Sequence, residues 1–229
     1  MTEYRQPRFA TPAGATEFLL IRHGESAPAR PGVLFDLLDD GQGDPELAPE
    51  GRRQAEAVGK RLADVEIDVA YVTTLRRTVQ TAAPYLAATG KVPLVEPDLR
   101  EVHLGDWEGG VFRQRVAERD PTFLRSRREQ RWDAIPGAER DEVFQARVEG
   151  AIRRLAGAHP GQRLVVFTHS GVIARVLASA TGAGPFAFLG CDNGSLTHLV
   201  VSGDEWTVRR YNDTTHLDGD LSRAGALPT

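Results

Sequence analysis

Two short apolar segments, residues 18–21 and 164–167, are each followed two residues later by a histidine, His23 and His169. Runs of this length, rich in branched and aromatic residues, are typical of buried strands. Parallel strands that share a sheet end at the same edge, where open α/β folds form their binding crevice. We therefore expect both imidazoles at one carboxyl edge, with Gly24 and Gly171 allowing tight turns and close approach of the backbone to a ligand.

Along the chain, such apolar runs alternate with amphipathic stretches, which predicts an α/β layer fold. The strands are predicted at residues 17–22, 68–73, 92–95, 163–168, 196–202 and 206–211. The helices are predicted at residues 49–63, 76–89, 111–118, 121–131, 141–156 and 171–179. We expect one domain over residues 1–229, with a core of about 17–211 and flexible tails at 1–15 and 214–229. The loop at 27–44 follows the first strand, where α/β enzymes usually place substrate contacts.

Composition limits the partners and the compartment. A formal net charge of -4 and a pI near 5.9 give no general basic surface, so neither a nucleic-acid nor an anionic-membrane partner is expected. Cys191 is the only cysteine, which excludes an intrachain disulfide and a cysteine zinc cluster and fits the cytoplasm. The first eighteen residues have no long apolar run, so we expect neither a signal peptide nor a membrane span there.

Two further segments have the residue types of an anion site. Arg76 and Arg77 stand at the start of a predicted helix, where cations oppose the macrodipole by roughly 0.3–1 kcal/mol. An anionic ligand would remove that conflict. Residues 99–109 combine carboxylates, a tryptophan and glycines, and so offer a candidate proton donor.

Taken in order, these segments resemble the motifs of the histidine phosphatase superfamily, also called the phosphoglycerate-mutase-like family. The resemblance covers roughly residues 18–202 and begins with Arg-His-Gly-Glu-Ser at residues 22–26. In the second motif Thr73 and Thr78 replace the usual serine and alanine, and Arg76 beside Arg77 leaves open which guanidinium binds phosphate. The remaining matches are Leu75, Thr81 and Ala82; Leu99, Glu101, Gly105, Trp107, Glu108 and Gly109; and the segments 168–173 and 192–197.

The resemblance implies a three-layer α/β/α sandwich with a mostly parallel central sheet and a small helical cap, inserted at about residues 104–140. It implies a metal-independent phosphomonoester hydrolase that acts on a small phosphorylated metabolite through a phosphohistidine intermediate, with no cofactor. Family members are often dimers, which leaves a homodimer open. The implied catalytic residues are His23, Glu101 and His169, and the implied substrate-binding residues are Arg22, Arg77, Ser26 and Ser170.

The residue types suit phosphoryl transfer. Its transition state spreads charge over the equatorial oxygens, and an arginine fork binds two such oxygens at once. A nucleophilic His23 must be neutral, and we expect a backbone carbonyl to hold its other nitrogen. As proton donor, Glu101 needs a raised pKa, for which Trp107 offers apolar surroundings.

Three alternatives follow from the same residues. A phosphoglycerate mutase of this family carries a Trp-Asn stretch soon after its first motif, whereas this chain has Ala-Pro-Ala at 27–29. A non-catalytic phosphate-binding module would lose a nucleophile or its acid, yet both are present. Other phosphatase chemistries fit poorly, because Thr197 stands where a cysteine phosphatase needs arginine and Asp218-Gly219-Asp220 follows no strand. Arginines crowding the site also argue against a metal.

The region of the expected cap is strongly basic. Residues 111–131 contain seven arginines and three acidic residues. The excess either binds a second anionic group on the substrate or forms a solvated face, alone or paired with the acidic loop that holds Asp36, Asp39, Asp40 and Asp44.

Overall fold

The computed structural model describes residues 3–217, which form a six-stranded sheet in the order β3-β2-β4-β1-β5-β6. The strands are β1 (Thr16–Arg22), β2 (Val69–Val72), β3 (Leu94–Val95), β4 (Arg163–Thr168), β5 (Leu196–Ser202) and β6 (Glu205–Asp213). The first four strands pair in parallel, and β5 is antiparallel to both of its neighbours. The mostly parallel sheet is thus confirmed.

Helices cover both faces of this sheet. They are α1 (Pro49–Leu62), α2 (Arg76–Thr89), α3 (Val111–Ala117), α4 (Pro121–Glu129), α5 (Asp141–Ala158) and α6 (Ser170–Thr181). The strands alternate as a two-sided sheet requires: Phe18 and Leu20 pack into the core beneath α5 and α6, whereas Leu19 and Ile21 pack beneath α1 and α2. The three-layer α/β/α architecture is confirmed.

Sequence periodicity located every one of these helices and strands, with errors at the boundaries. The strand predicted at 92–95 shrinks to Leu94–Val95, and the last strand extends to Glu205–Asp213. Residues 3–14 form no helix or strand, as expected for the amino-terminal tail, whereas the Asp218-Gly219-Asp220 triplet and most of the carboxyl-terminal tail lie outside the described residues. No helix within residues 3–217 is both long and apolar enough to cross a membrane.

The small cap lies between β3 and α5 and consists of α3, α4 and short 3-10 turns. Its interior is aromatic: Phe112 packs edge-on against Phe123 and Trp132, with ring centroids 6.2 and 6.0 Å apart. Trp132 in turn contacts Phe186, which follows α6. These contacts join the cap to the core that lies beneath α5 and α6.

Candidate active site

The end of β1 positions His23. Arg22 pairs with Thr168 of the parallel strand β4, and the His23 N–H donates to the Thr168 carbonyl at 2.9 Å. Nδ1 of His23 lies 2.7 Å from the Gly24 carbonyl. Because a carbonyl only accepts, Nδ1 carries the proton and Nε2 keeps its lone pair. Burial, with the charges of Arg77 and Arg22, lowers the pKa of His23 well below its ordinary value, so the ring is neutral near pH 7.

The end of β4 positions the second histidine beside the first. The ring centroids of His23 and His169 are 5.2 Å apart, so the two imidazoles meet at one sheet edge as the sequence predicts. His169 Nε2 lies 3.0 Å from Thr73 Oγ1, which in turn lies 3.0 Å from Thr78 Oγ1. Burial, with the charge of Arg77, lowers the pKa of His169 well below its ordinary value.

The two adjacent arginines of α2 have different partners, which resolves the ambiguity left by the sequence. Arg76 turns outward, where its Nε lies 3.0 Å from Asp44 and its Nη2 3.0 Å from Asp36. Arg77 is buried beside both histidines, and burial lowers its pKa to about 10. It therefore remains charged at neutral pH. Arg77 is the guanidinium of α2 that faces the site.

Arg22 brings a second guanidinium to the same place. Its Nη1 donates to the Cys191 carbonyl. Its Nε is buried and, among residues 3–217, has no hydrogen-bond partner, and the same is true of His169 Nδ1. A buried polar atom without a partner is costly unless a ligand satisfies it. Two such nitrogens beside His23 and Arg77 are the arrangement that a tetrahedral oxyanion fits.

Glu101 lies deep in the site with part of its surface open to the cavity. Its carboxylate accepts hydrogen bonds from the N–H groups of Val102 at 3.0 Å and Gly171 at 3.2 Å. Desolvation by burial dominates over these bonds and over the nearby arginines, so the pKa of Glu101 is raised. A group with this pKa holds a proton at a higher pH than an exposed glutamate does, which suits a proton donor.

Two side chains that the sequence analysis did not single out hold the backbone of Glu101. Gln42 Nε2 donates to the Glu101 carbonyl at 2.9 Å, and Arg147 Nη2 donates to the same oxygen at 3.0 Å. Arg147 also bonds the Arg100 carbonyl and pairs with Glu139 at 2.7 Å. No local sequence signal marks Gln42 or Arg147, because both act across long stretches of chain.

The two predicted serines are placed differently. Ser170 begins α6 and lines the cavity that contains His23 and Glu101. Ser26 lines a neighbouring cavity of about 460 Å³, and its Oγ accepts a hydrogen bond of 2.6 Å from Arg113. Arg113 lines both cavities, and burial together with Arg22 lowers its pKa. It is a further cation at the site that sequence reasoning did not separate from the other arginines of the cap.

One cavity of about 130 Å³ brings most of these groups together. Its polar end is formed by Arg22, His23, Arg77, Glu101, Ser170 and Gly171. Phe35 and Gly43 of the loop at 27–44 also line it, and substrate contacts from this loop stay a prediction. Its other walls are formed largely by apolar residues, namely Phe35, Pro45, Val102, Leu104, Trp107, Phe112, Trp132 and Leu189.

The remaining cap arginines do not line this cavity. Arg115 pairs with Glu118 at 3.3 Å, Arg131 pairs with Asp133 at 2.5 Å, and Arg125 donates to the Ala134 carbonyl at 2.6 Å. The acidic loop does not pair with the cap either, because Asp36 and Asp44 bind Arg76, and Asp40 binds Arg100. Most cap arginines therefore interact with other groups of the cap and not with the cavity.

Gly24 and Gly171 each lie close to another part of the protein. Neither residue has a positive φ. A Cβ on Gly24 would lie 2.4 Å from the Gly51 carbonyl oxygen of α1, and one on Gly171 would lie 2.4 Å from the carboxylate of Glu101. Glycine is needed at both positions because another part of the protein approaches the backbone closely. Gly171 also lines the cavity, so close approach of a ligand to its backbone stays a prediction.

The chain is similar to known proteins over most of its length. Phosphoglycerate mutase-like protein 4 of Arabidopsis thaliana is 32% identical over 206 residues, which span 88% of this chain and 87% of that protein. A metal-independent phosphoserine phosphatase of the same plant is 30% identical over 213 residues, 88% of this chain and 83% of that protein. The solved structure of mycobacterial glucosyl-3-phosphoglycerate phosphatase superposes with a TM-score of 0.70 at 28% identity, over 86% of this chain and 99% of that one.

The family model describes the same span of the chain. The model of the histidine phosphatase superfamily (branch 1) matches residues 18–214, which include both histidine-bearing strand ends, the arginine of α2 and the glutamate segment. This chain therefore belongs to the histidine phosphatase superfamily.

Proposed function

We propose that this protein is a metal-independent phosphomonoester hydrolase that acts on a small phosphorylated substrate through a phosphohistidine at His23. One observation carries the proposal. A neutral imidazole, with Nδ1 held by the Gly24 carbonyl, shares a cavity with Arg22, Arg77 and a protonatable Glu101. Nucleophile, anion-binding groups and acid are thus present together.

In the first step the Nε2 lone pair of His23 attacks phosphorus, and the bond from phosphorus to the ester oxygen breaks. Arg22 and Arg77 stabilise the negative charge on the phosphoryl oxygens. The leaving oxygen takes the proton of Glu101 and departs as an alcohol. The products of this half-reaction are a phosphohistidine and a Glu101 carboxylate.

In the second step the Glu101 carboxylate removes a proton from water as the water oxygen attacks phosphorus. The bond from phosphorus to Nε2 breaks, inorganic phosphate leaves and the neutral imidazole returns. His169 lies beside His23 and donates to a phosphoryl oxygen in both steps. The cycle requires no electron transfer. Among residues 3–217 no three His, Cys, Asp or Glu side chains are grouped as metal ligands.

Hydrolysis is favoured over mutase activity. A mutase must hold a phosphorylated acid until the phosphoryl group returns to it, which needs cationic groups for that acid. Of the cap arginines only Arg113 faces the cavity. The similarity to phosphatases from a plant and from mycobacteria points the same way. The proposal also places the enzyme in the cytoplasm, where the lone buried Cys191 stays reduced.

The test is phosphate release in the presence of EDTA by the wild type and His23→Ala, with phosphate esters of aryl, alkyl and sugar alcohols as substrates. His198→Gln, on β5 and outside the cavity, is the matched control. We expect release that survives EDTA, vanishes in His23→Ala and persists in the control. Isomerisation of 3-phosphoglycerate without net phosphate release would replace the hydrolase by a mutase.

A further inference from the structure

Two cavities meet at His23. Arg22, His23 and Arg113 line both cavities, but Glu101 lines only the smaller one. Under the proposed function, on which this inference rests, Glu101 protonates the leaving oxygen. The alcohol part of the substrate must therefore occupy the smaller cavity, beyond the phosphoryl group.

The surface that meets this alcohol is apolar and aromatic. We call it the leaving-group wall, and it consists of Phe35, Leu104, Trp107, Phe112, Trp132 and Leu189. Its rings pack against one another. The ring centroids of Trp107 and Phe112 are 6.2 Å apart, and those of Phe112 and Trp132 are 6.0 Å apart. A braced wall of this kind keeps its shape and offers ring faces to a ligand.

The two charged side chains beside the wall, Glu108 and Arg113, already form hydrogen bonds within the protein. Both oxygens of Glu108 accept backbone N–H groups, from Leu104 at 2.7 Å and from Gly43 at 2.8 Å. Arg113 donates to the Ala27 carbonyl at 2.7 Å and to Ser26, and its guanidinium lies 5.3 Å from the Phe35 ring centroid. A ligand with several hydroxyl, amino or carboxylate groups would lose hydration against this wall without regaining equivalent hydrogen bonds.

The size of the cavity sets the scale of the ligand. At about 130 Å³, a volume that includes its polar end, the cavity is on the scale of apolar protein cavities of about 150 Å³ that hold a single benzene ring. The space beside the wall thus suits a compact group.

We propose that the substrate is the phosphate monoester of an apolar alcohol that carries one aromatic or similarly compact ring. Phosphoamino acids and sugar phosphates are then poor substrates of this chain. The specificity-determining residues are those of the leaving-group wall, and they act on the alcohol and not on the phosphoryl group.

Three esters of primary alcohols compare ring and polar groups at similar intrinsic reactivity: benzyl phosphate, O-phosphoserine and glucose 6-phosphate. We expect kcat/KM for benzyl phosphate to exceed that for either polar ester by about 30-fold or more, as burial of a ring predicts. Equal or faster hydrolysis of a polar ester, by an enzyme that still depends on His23, would overturn the inference and leave the proposed function intact. Absence of His23-dependent release from every ester would instead overturn the proposed function, and the inference with it.

Variants of the wall connect the preference to these residues. Leu104→Asn and Leu189→Asn change half-buried positions, and Leu124→Asn on α4 is the matched control because Leu124 is 41% exposed and does not line the cavity. We expect either wall variant to lower the preference for benzyl phosphate over O-phosphoserine by about fivefold or more. The circular dichroism spectrum and the melting temperature of each variant report whether it folds like the wild type. A preference unchanged in both wall variants, or lowered equally in the control, would contradict the assignment.

Discussion

The phosphate end and the leaving-group end of this site are built in different ways. At the phosphate end, His23 follows β1, His169 follows β4, and Arg77 lies in the first turn of α2. Hydrogen bonds between β1 and β4 fix the relative positions of the two strand ends. At the leaving-group end Glu101 and the wall lie on irregular segments and on the cap, held by side chains such as Gln42 and Arg147. The difference teaches that the fold fixes the chemistry, while the segments between its elements fix the substrate.

This comparison makes a general prediction about variants. A change at the phosphate end lowers turnover of every ester by a similar factor, because all substrates share the phosphoryl group. A change at the leaving-group end lowers turnover by a factor that depends on the alcohol. The variants below test that contrast, beginning with the largest expected effect.

The adjacent arginines of α2 test the phosphate end. We expect Arg77→Ala to lower kcat/KM by about 10³-fold for p-nitrophenyl and benzyl phosphate alike, because it removes a cation that stabilises the transition state. The matched control Arg76→Ala removes two ion pairs, to Asp36 and Asp44, at a 40% exposed side chain and is expected to lower kcat/KM by less than about fivefold. Comparable losses in the two variants, measured by steady-state phosphate release, would contradict the assignment of Arg77.

Glu101→Gln tests the leaving-group end. The measured quantity is kcat/KM, which covers the steps through departure of the alcohol and not the later attack of water. For benzyl phosphate, whose alkoxide needs a proton, we expect kcat/KM to fall by about 10²-fold or more. For p-nitrophenyl phosphate, whose phenolate leaves unaided, we expect kcat/KM to fall by less than about tenfold, because protonation contributes little there. Asp106→Asn, exposed on the same segment, is the control and is expected to change neither rate.

The raised pKa of Glu101 adds a pH signature to this variant. Its acid form is lost only as pH rises through the raised value, so kcat/KM for benzyl phosphate should fall on the alkaline side. That limb should be absent from the p-nitrophenyl phosphate profile and from Glu101→Gln. An alkaline limb that persists in the variant would mean that another group supplies the proton.

Thr73→Val tests how the phosphate end orients His169. The variant keeps the shape of the side chain but removes the oxygen 3.0 Å from His169 Nε2. We expect kcat to fall by about three- to tenfold for every ester, as the loss of the hydrogen bond to His169 predicts. Thr73→Ser keeps the hydroxyl and should restore kcat. Failure of serine to rescue would indicate a packing role instead.

The smallest expected effect is on stability and arises from the two histidines. Their folded-state pKa values lie well below the ordinary 6.5, so below about pH 6.5 the unfolded chain binds protons that the folded chain does not. Stability contributed by the neutral rings is therefore complete above pH 6.5 and is lost as pH falls toward the folded-state values. We expect the urea midpoint to drop between pH 7.5 and 5.5, and to drop less in His169→Asn. An identical drop in the His169→Asn variant would show that His169 does not contribute to the pH dependence of stability.

Much of the phosphate end could be predicted from the sequence because its groups are local. Each histidine directly follows its own apolar run, and parallel strands must end at one edge, so the pairing of His23 with His169 needed no tertiary detail. The choice between Arg76 and Arg77 did need it, because Asp36 and Asp44 hold Arg76 from a loop distant in sequence.

The leaving-group end could not be predicted in the same way. Phe35, Trp107 and Trp132 meet in one wall only after the loop and the cap pack together, and no spacing in the sequence encodes that meeting. The seven arginines of residues 111–131 were equal candidates for binding a second anionic group of the substrate, although only Arg113 reaches the cavity. Specificity thus depends on packing between segments, while the chemistry depends on motifs.

The covalent intermediate is the most direct measurement of the central claim. The protein would be mixed with benzyl phosphate, quenched within milliseconds in alkaline denaturant, which preserves phosphohistidine, and digested for mass spectrometry. The account predicts one phosphoryl group on the peptide that contains His23, and none in His23→Ala. A phosphoryl group on another residue, or turnover with no trapped phosphoenzyme at any quench time, would contradict it.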